Sequence, residues 1–269
     1  MFAKKALKSE KESKALCNIM FPHDIDYPTD HLTNLFRHQH TITCSIDPGT
    51  KNYAIRIADR DNVARKSITI YYNKWELDPP LATDDPDVSI DRTYTSLSNK
   101  LISITDLLEQ VDVLIVERQL PINYNSTRVM QHTVACFEHV FRQNKTGRYP
   151  IICLVAPQLK GKMLGAPRGL PKPELKKWSV EVTFDILETN EDEWALSKIE
   201  AERKKDDLAD VVTQYEAFCL YFEIDKLVVK PIKMIKEESK RVKHIQVKNK
   251  DGSKRNIIKT NPKASTTSD

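Results

Sequence analysis

At 269 residues, with 40% apolar and 30% charged side chains, the chain has material for one sizeable domain with extensions, or for two small ones. No apolar run approaches the roughly 20 residues of a membrane-spanning helix, and Met1 to Ser13 is rich in Lys, Glu and Ser rather than in the apolar residues of a secretory signal, so no membrane partner is expected. The net charge of +4 conceals an imbalance, because residues 226–269 carry 13 Lys/Arg against 4 Asp/Glu while the first 225 residues carry 29 against 34. Such a tail suits either a polyanionic partner or a solvated, disordered segment.

Residues 1–40 read as an N-terminal extension, a Lys/Glu-rich helix followed by irregular chain. The core is expected over 41–225 and the basic tail over 226–269. Ile42–Asp47, Tyr53–Ala58 and Ala64–Tyr72 have the composition of strands, and the polar break Asp59-Arg60-Asp61-Asn62 reads as a hairpin loop between the last two. Asp78 to Asp87, rich in Pro and Asp, reads as an exposed loop. Tyr94, Leu97, Leu101, Ile104 and Leu108 then recur at helical spacing, and Val111–Val116 is apolar enough for a strand covered on both faces.

A second helix is predicted from Ser126 to about Gln143, with Val129, Thr133, Val134, Phe137, Val140 and Phe141 on its buried side. Ile151–Val155 follows as a strand, then helices over Lys172–Leu187 and Lys205–Phe222. This order predicts a mixed sheet with helices on both faces. The five cysteines are scattered, none with zinc-finger spacing. Cys44 and Cys153 sit in strand-like runs and read as small core residues of a protein in a reducing, intracellular compartment.

Three acidic features share a kind of position. Asp47 closes the strand before Pro48-Gly49-Thr50, Glu117 closes Val113-Leu114-Ile115-Val116, and Asp207 and Asp210 lie three apart, on one face of a helix. Each has an ordinary alternative: a turn or cap for Asp47, an ion pair with a neighbouring Arg for Glu117, a charged helix start capped by Asp206 for the third. Together they describe a crowd of carboxylates, which repel one another unless a divalent cation neutralises them. Two such cations can activate a water and stabilise the leaving oxygen of a phosphodiester. Asp47-x-Gly49-Thr50 also resembles a phosphate-binding loop of sugar-kinase and actin-like ATPases, but the chain is short for the second half-domain those proteins use.

The blocks Ile46-Asp47-Pro48-Gly49-Thr50-Lys51-Asn52, Ile115-Val116-Glu117-Arg118-Gln119 and Lys204-Lys205-Asp206-Asp207-Leu208-Ala209-Asp210, in that order, resemble the RNase H-like superfamily. The resemblance is to RuvC-type Holliday-junction resolvases, most closely their poxvirus-type branch, and covers about Thr41 to Glu223. It implies an RNase H-like, five-stranded mixed sheet with helices on both faces. It further implies a homodimer that places paired symmetric nicks in a four-way DNA junction, with Mg²⁺ as cofactor and Mn²⁺ able to replace it. Matched residue by residue, the metal-holding and catalytic carboxylates fall on Asp47, Glu117, Asp207 and Asp210, with Asp206 a less secure neighbour.

The family's lysine near the scissile phosphate falls on Lys160, with Lys162 in reserve, and Lys172, Lys176 and Lys177 are candidates for phosphate contact. The helix near Ser126–Phe141 is the dimer candidate by analogy, though its apolar residues suit an ordinary core equally. The polar loop Arg118–Asn125, with Tyr124, is placed to brace a junction. The extension, the acidic loop near Asp84–Asp87 and the basic tail depart from a minimal resolvase. A viral replication site or the nucleus is the compartment such a protein would serve. The alternatives are another RNase H-like nuclease (acting on flaps, RNA–DNA hybrids or transposon ends) and a catalytically silent nucleic-acid-binding module.

Overall fold

The structure, a computed structural model, describes residues 16–20, 28–77, 86–142, 150–224, 244–248 and 254–258. Residues 244–248 and 254–258 (β7, His244–Lys248; β8, Lys254–Ile258) form an antiparallel pair within the basic tail and belong to a separate unit. The rest of the tail, the predicted helix within residues 1–15, and Asp84 and Asp85 of the acidic loop lie outside the described residues.

The main unit is built on a six-stranded sheet in the order β1-β6-β5-β2-β3-β4. Its strands are β1 (Cys17–Met20), β2 (His40–Asp47), β3 (Tyr53–Asp61), β4 (Lys66–Trp75), β5 (Val113–Glu117) and β6 (Ile151–Val155). β2, β3 and β4 form the expected antiparallel meander, and β5 and β6 run parallel to β2 beside it. The sheet thus has one strand more than the five expected. Cys17–Met20, inside the segment read as an extension, pairs antiparallel with β6, and Leu16, Cys17, Leu32 and Phe36 are buried in the core. The hairpin turn also falls later than expected. Asp59 to Asp61 continue β3, and the Asp61 carboxylate closes the turn by accepting from the Val63 and Ala64 amides at 2.8 Å.

Among the described residues eight helices complete the unit: α1 (Pro28–Leu35), α2 (Pro86–Ile102), α3 (Thr105–Leu108), α4 (Tyr124–Arg142), α5 (Gln158–Leu164), α6 (Lys172–Asn190), α7 (Glu193–Ala201) and α8 (Asp206–Tyr221). Strand alternation divides the core in two. Cys44, Ile46, Ile55, Leu114 and Val116 face Leu97, Val129 and Phe137 of α2 and α4. Ala54, Val113, Ile115 and Cys153 face α6 and α8, with Leu187, Leu208, Val211 and Phe218. Val129, Thr133, Val134 and Phe137 therefore belong to this chain's own core, while the side chains of Val140 and Phe141 lie outside those described.

α8 is buried almost all round, as a helix wedged between a sheet and other helices must be. The sheet face beneath it is partly polar: Thr43, Ser45 and Arg56 are all buried. Arg56 is satisfied by Thr69 Oγ1 at 2.9 Å, by Asp192 Oδ2 at 3.5 Å, and by the face of Tyr215, 5.6 Å from its guanidinium. Asp192 also accepts from the Thr69 amide and caps α7. This buried, directed network fixes the α6–α7 corner onto β4 and so fixes the height of α8 over the sheet.

Candidate active site

Asp47 and Glu117 end neighbouring parallel strands, each one residue beyond the Ile46–Val116 register pair. The two-residue alternation of Thr43, Ser45, Asp47 and of Val113, Ile115, Glu117 turns both carboxylates toward α8. The turn after Asp47 is tight, and a Cβ at Gly49 would lie 2.7 Å from the Asn52 carbonyl oxygen, so glycine is needed there. β6 ends beside β5, the Arg118 amide donating to Val155 O at 2.7 Å, and the chain then enters α5, which Leu159 and Leu164 bury against the core. Lys160 is thereby aimed at the carboxylates. Its Nζ lies 2.7 Å from Glu117 Oε2 and 3.0 Å from Asp210 Oδ1.

From the other side, α8 brings Asp206, Asp207 and Asp210 over the same strand ends. Asp210 accepts from Ser179 Oγ of α6 at 3.2 Å, and Asp207 pairs with Lys204 at 2.7 Å. Asp206 is turned aside and pairs with Lys176 and, at 3.7 Å, with Lys204. Gln119 Nε2 reaches Asp47 Oδ1 at 3.5 Å.

The electrostatics match this crowding. Burial, then the charge of Glu117, then those of Asp210 and Asp207, push the Asp47 carboxyl well above the usual carboxylate range against the pull of Lys160. Burial pulls the Lys160 ammonium down, but Glu117, Asp210 and Asp47 outweigh it and hold the ammonium above its ordinary value. Burial also opposes ionisation of Asp206, yet Lys176 and Lys204 keep it below the usual range.

Among the described residues, no three carboxylate, His or Cys groups are closed to metal-ligand spacing, because the carboxylates are closed on lysines instead. Three features suit the cluster to a hard divalent cation. The donors are all oxygens, and an ammonium stands among them as a substitute cation. Glu117 Oε2 is buried, and the Lys160 ammonium at 2.7 Å answers its charge.

The structure brings Asp47, Glu117, Asp207, Asp210 and Lys160 together, and leaves Lys162, Lys172 and Lys177 exposed at the surface. The loop after Glu117 differs from the polar segment expected. Leu120, Ile122 and Tyr124 are exposed, Ile122 at 91%, and the Arg128 guanidinium lies 5.1 Å from the Tyr124 ring and 5.7 Å from that of Tyr94. Sequence reasoning missed Ser179, Lys204 and Gln214. Gln214 alone carried a signal, its place four residues after Asp210 on one helix face.

No protein-family model matches the chain. Uncharacterized protein 97L of Invertebrate iridescent virus 3 is 31% identical over 109 residues, which are 40% of this chain. The matched stretch spans about half (48%) of that protein. Among solved structures, the yeast mitochondrial Holliday junction resolvase Ydc2 superimposes with a TM-score of 0.52 at 18% identity, covering 74% of this chain and 87% of that one. The chain thus shares its fold with this solved resolvase. The fowlpox virus resolvase in complex with Holliday junction DNA is similar at a TM-score of 0.44 and 20% identity, over 68% of this chain and 97% of that one. On this fold, the carboxylates and Lys160 stand at the carboxyl ends of parallel strands, where open α/β sheets bind their ligands.

Proposed function

We propose that the protein is a metal-dependent, structure-selective endodeoxyribonuclease that resolves four-way DNA junctions. One observation carries this reading. Carboxylates from β2, β5 and α8 and an ammonium from α5 meet at the carboxyl ends of the central strands of a sheet with the resolvase fold. Asp47, Glu117, Asp207 and Asp210 would hold Mg²⁺, with Mn²⁺ able to replace it. When bound, the metal supplies Lewis-acid activation of the attacking water and stabilisation of the leaving oxygen. Lys160, released from Glu117 and Asp210, is positioned to stabilise negative charge on the transferring phosphoryl group. Ser179 keeps Asp210 oriented, and the Leu120–Tyr124 segment with Arg128 offers apolar and stacking surface to bases at a branch point.

Paired symmetric nicks require two active sites, hence a homodimer. Because Val129, Thr133, Val134 and Phe137 serve the chain's own core, any α4 contribution to that dimer comes from the helix's other side. The five free cysteines suit a reducing compartment.

The deciding test is cleavage of a labelled synthetic four-way junction beside linear duplex, flap and RNA–DNA hybrid, with Mg²⁺ and with EDTA. Paired Mg²⁺-dependent nicks confined to the junction are expected. Cleavage of another substrate would move the protein to a sister RNase H-like nuclease, and no cleavage by folded protein would favour a silent binding module.

A pH dependence follows from Asp47. With its carboxyl raised in the metal-free site, Asp47 keeps its proton into a range where an ordinary aspartate is ionised, and a neutral carboxyl is a poor ligand. Mn²⁺ affinity is therefore expected to weaken as pH falls from neutral into the mildly acidic range, and binding near Asp47's raised pKa to release a proton. Calorimetry in buffers of different ionisation enthalpy measures both, and a pH-independent affinity would contradict the assignment of Asp47. The stability effect has the opposite sign: the folded chain holds this proton more tightly than the unfolded one, so for this group the metal-free protein gains stability on acidification.

A further inference from the structure

Gln214 is a buried polar residue that the proposed chemistry leaves unassigned. It lies on α8 one turn beyond Asp210 and is 1% exposed. Its Nε2 is 3.1 Å from Ser45 Oγ, 3.2 Å from Ile46 O and 3.2 Å from Ile115 O. These acceptors belong to the two strands that carry Asp47 and Glu117, one or two residues before each carboxylate. Its Oε1 is buried with no partner, a desolvation cost that a side chain serving packing alone would not impose.

The rest of the α8 interface explains why such a bond matters. Most of the helix meets the sheet through apolar side chains such as Leu208, Val211 and Val212, whose burial is non-directional and tolerates small sliding. Directed bonds hold it to β4, where Tyr72 OH donates to Leu208 O at 2.8 Å and Ser67 Oγ to Tyr215 OH at 3.1 Å. β4 carries none of the site carboxylates. Gln214 bonds directly from the helix bearing Asp207 and Asp210 to the strands bearing Asp47 and Glu117.

We propose that Gln214 is a positioning residue that sets the separation of Asp47 and Glu117 from Asp207 and Asp210, and through it the affinity of the site for a divalent cation. The inference rests on the metal-dependent reading above. Gln214 touches no reacting atom. It acts by locking the register between helix and strands, so that carboxylates from three elements stay on one side of the sheet at a fixed spacing.

The test uses the full chain as wild type, Gln214→Met and Gln214→Glu. Gln214→Met keeps length and approximate volume but removes both amide hydrogens. Gln214→Glu keeps the shape and sets carboxyl oxygens against the Ile46 and Ile115 carbonyls. Three readings are taken: Mn²⁺ affinity from the electron paramagnetic resonance of free Mn²⁺, metal-free thermal unfolding, and kcat and KM on a four-way junction. In the variants Mn²⁺ affinity is expected to fall about 10–100-fold, as for other groups that orient metal ligands, with kcat reduced and junction KM unchanged.

A merely structural role would lower the unfolding temperature while folded protein kept wild-type Mn²⁺ affinity and kcat, and that result overturns the proposal. If Gln214→Met does not fold, Gln214→Glu decides by the same readings. Wild type that binds Mn²⁺ beside a variant that binds it equally well removes the positioning role alone. Wild type that binds no Mn²⁺ removes the metal-dependent reading and this inference with it.

Discussion

Asp47→Asn is expected to bind four-way junctions as wild type does and to lose cleavage by well over the roughly 10–100-fold that changes outside the ligand shell cost. The substitution keeps the shape of the side chain at the end of β2 and removes its charge. That charge is held at a disadvantage in the metal-free protein, where burial, Glu117, Asp210 and Asp207 all oppose it. A neutral amide relieves this repulsion, so the unfolding temperature in EDTA should be unchanged or higher than wild type. Loss of cutting together with undiminished stability separates a ligand from a residue that only supports the fold. Junction cutting at near wild-type rate would exclude Asp47 from the chemistry.

Lys160→Met is expected to act on stability and on catalysis through different routes. Without metal, the ammonium is the cation between Glu117 Oε2 and Asp210 Oδ1, at 2.7 and 3.0 Å. Removing it leaves mutually repelling carboxylates in a largely buried place, and breaking a buried pair in this way costs about 3–5 kcal/mol. A divalent cation can restore the missing charge. Mn²⁺ should therefore raise the unfolding temperature of the variant more than that of wild type, and should bind it more tightly because no lysine competes. Cleavage should nevertheless fall by about 10²–10³-fold, the scale of losing one charge-stabilising donor at a transition state. Tighter metal binding with slower cutting is the signature. Equal unfolding temperatures in EDTA and an equal cutting rate would remove Lys160 from both roles.

The parts of this site that were legible in the sequence are those whose signal is local. Asp47 and Glu117 each end an apolar run, and Asp207 and Asp210 share a helix face. Such patterns need no knowledge of the rest of the chain. β1 was illegible because its four residues pair with β6, far along the chain, and nothing in Cys17-Asn18-Ile19-Met20 announces that partner. Arg56 lies in a run that reads as an ordinary strand, and its burial makes sense only once Asp192, 136 residues later, is brought beside it. α5 is short and ends on Gly165, so periodicity had little to act on, although Lys160 was found by resemblance. Ser179 and Gln214 look like common polar residues of helices. Their roles are set by what the fold places opposite them, Asp210 in one case and the backbone of β2 and β5 in the other.

The distribution of the site along the chain has a consequence for how the protein is made. β2, β3, β4 and β5 can pair once residue 117 has left the ribosome, and β1 must wait for β6. α8, which supplies Asp207, Asp210 and the Gln214 bridge, is the last of the unit's described helices to emerge. Until it docks, Asp47 and Glu117 stand at unroofed strand ends with two of the four carboxylates missing. Translation from the N-terminus therefore completes the carboxylate cluster late, and a nascent chain halted before Asp206 is one that cannot assemble it. Synthesis itself thus delays assembly of the carboxylate cluster until the domain is almost entirely built.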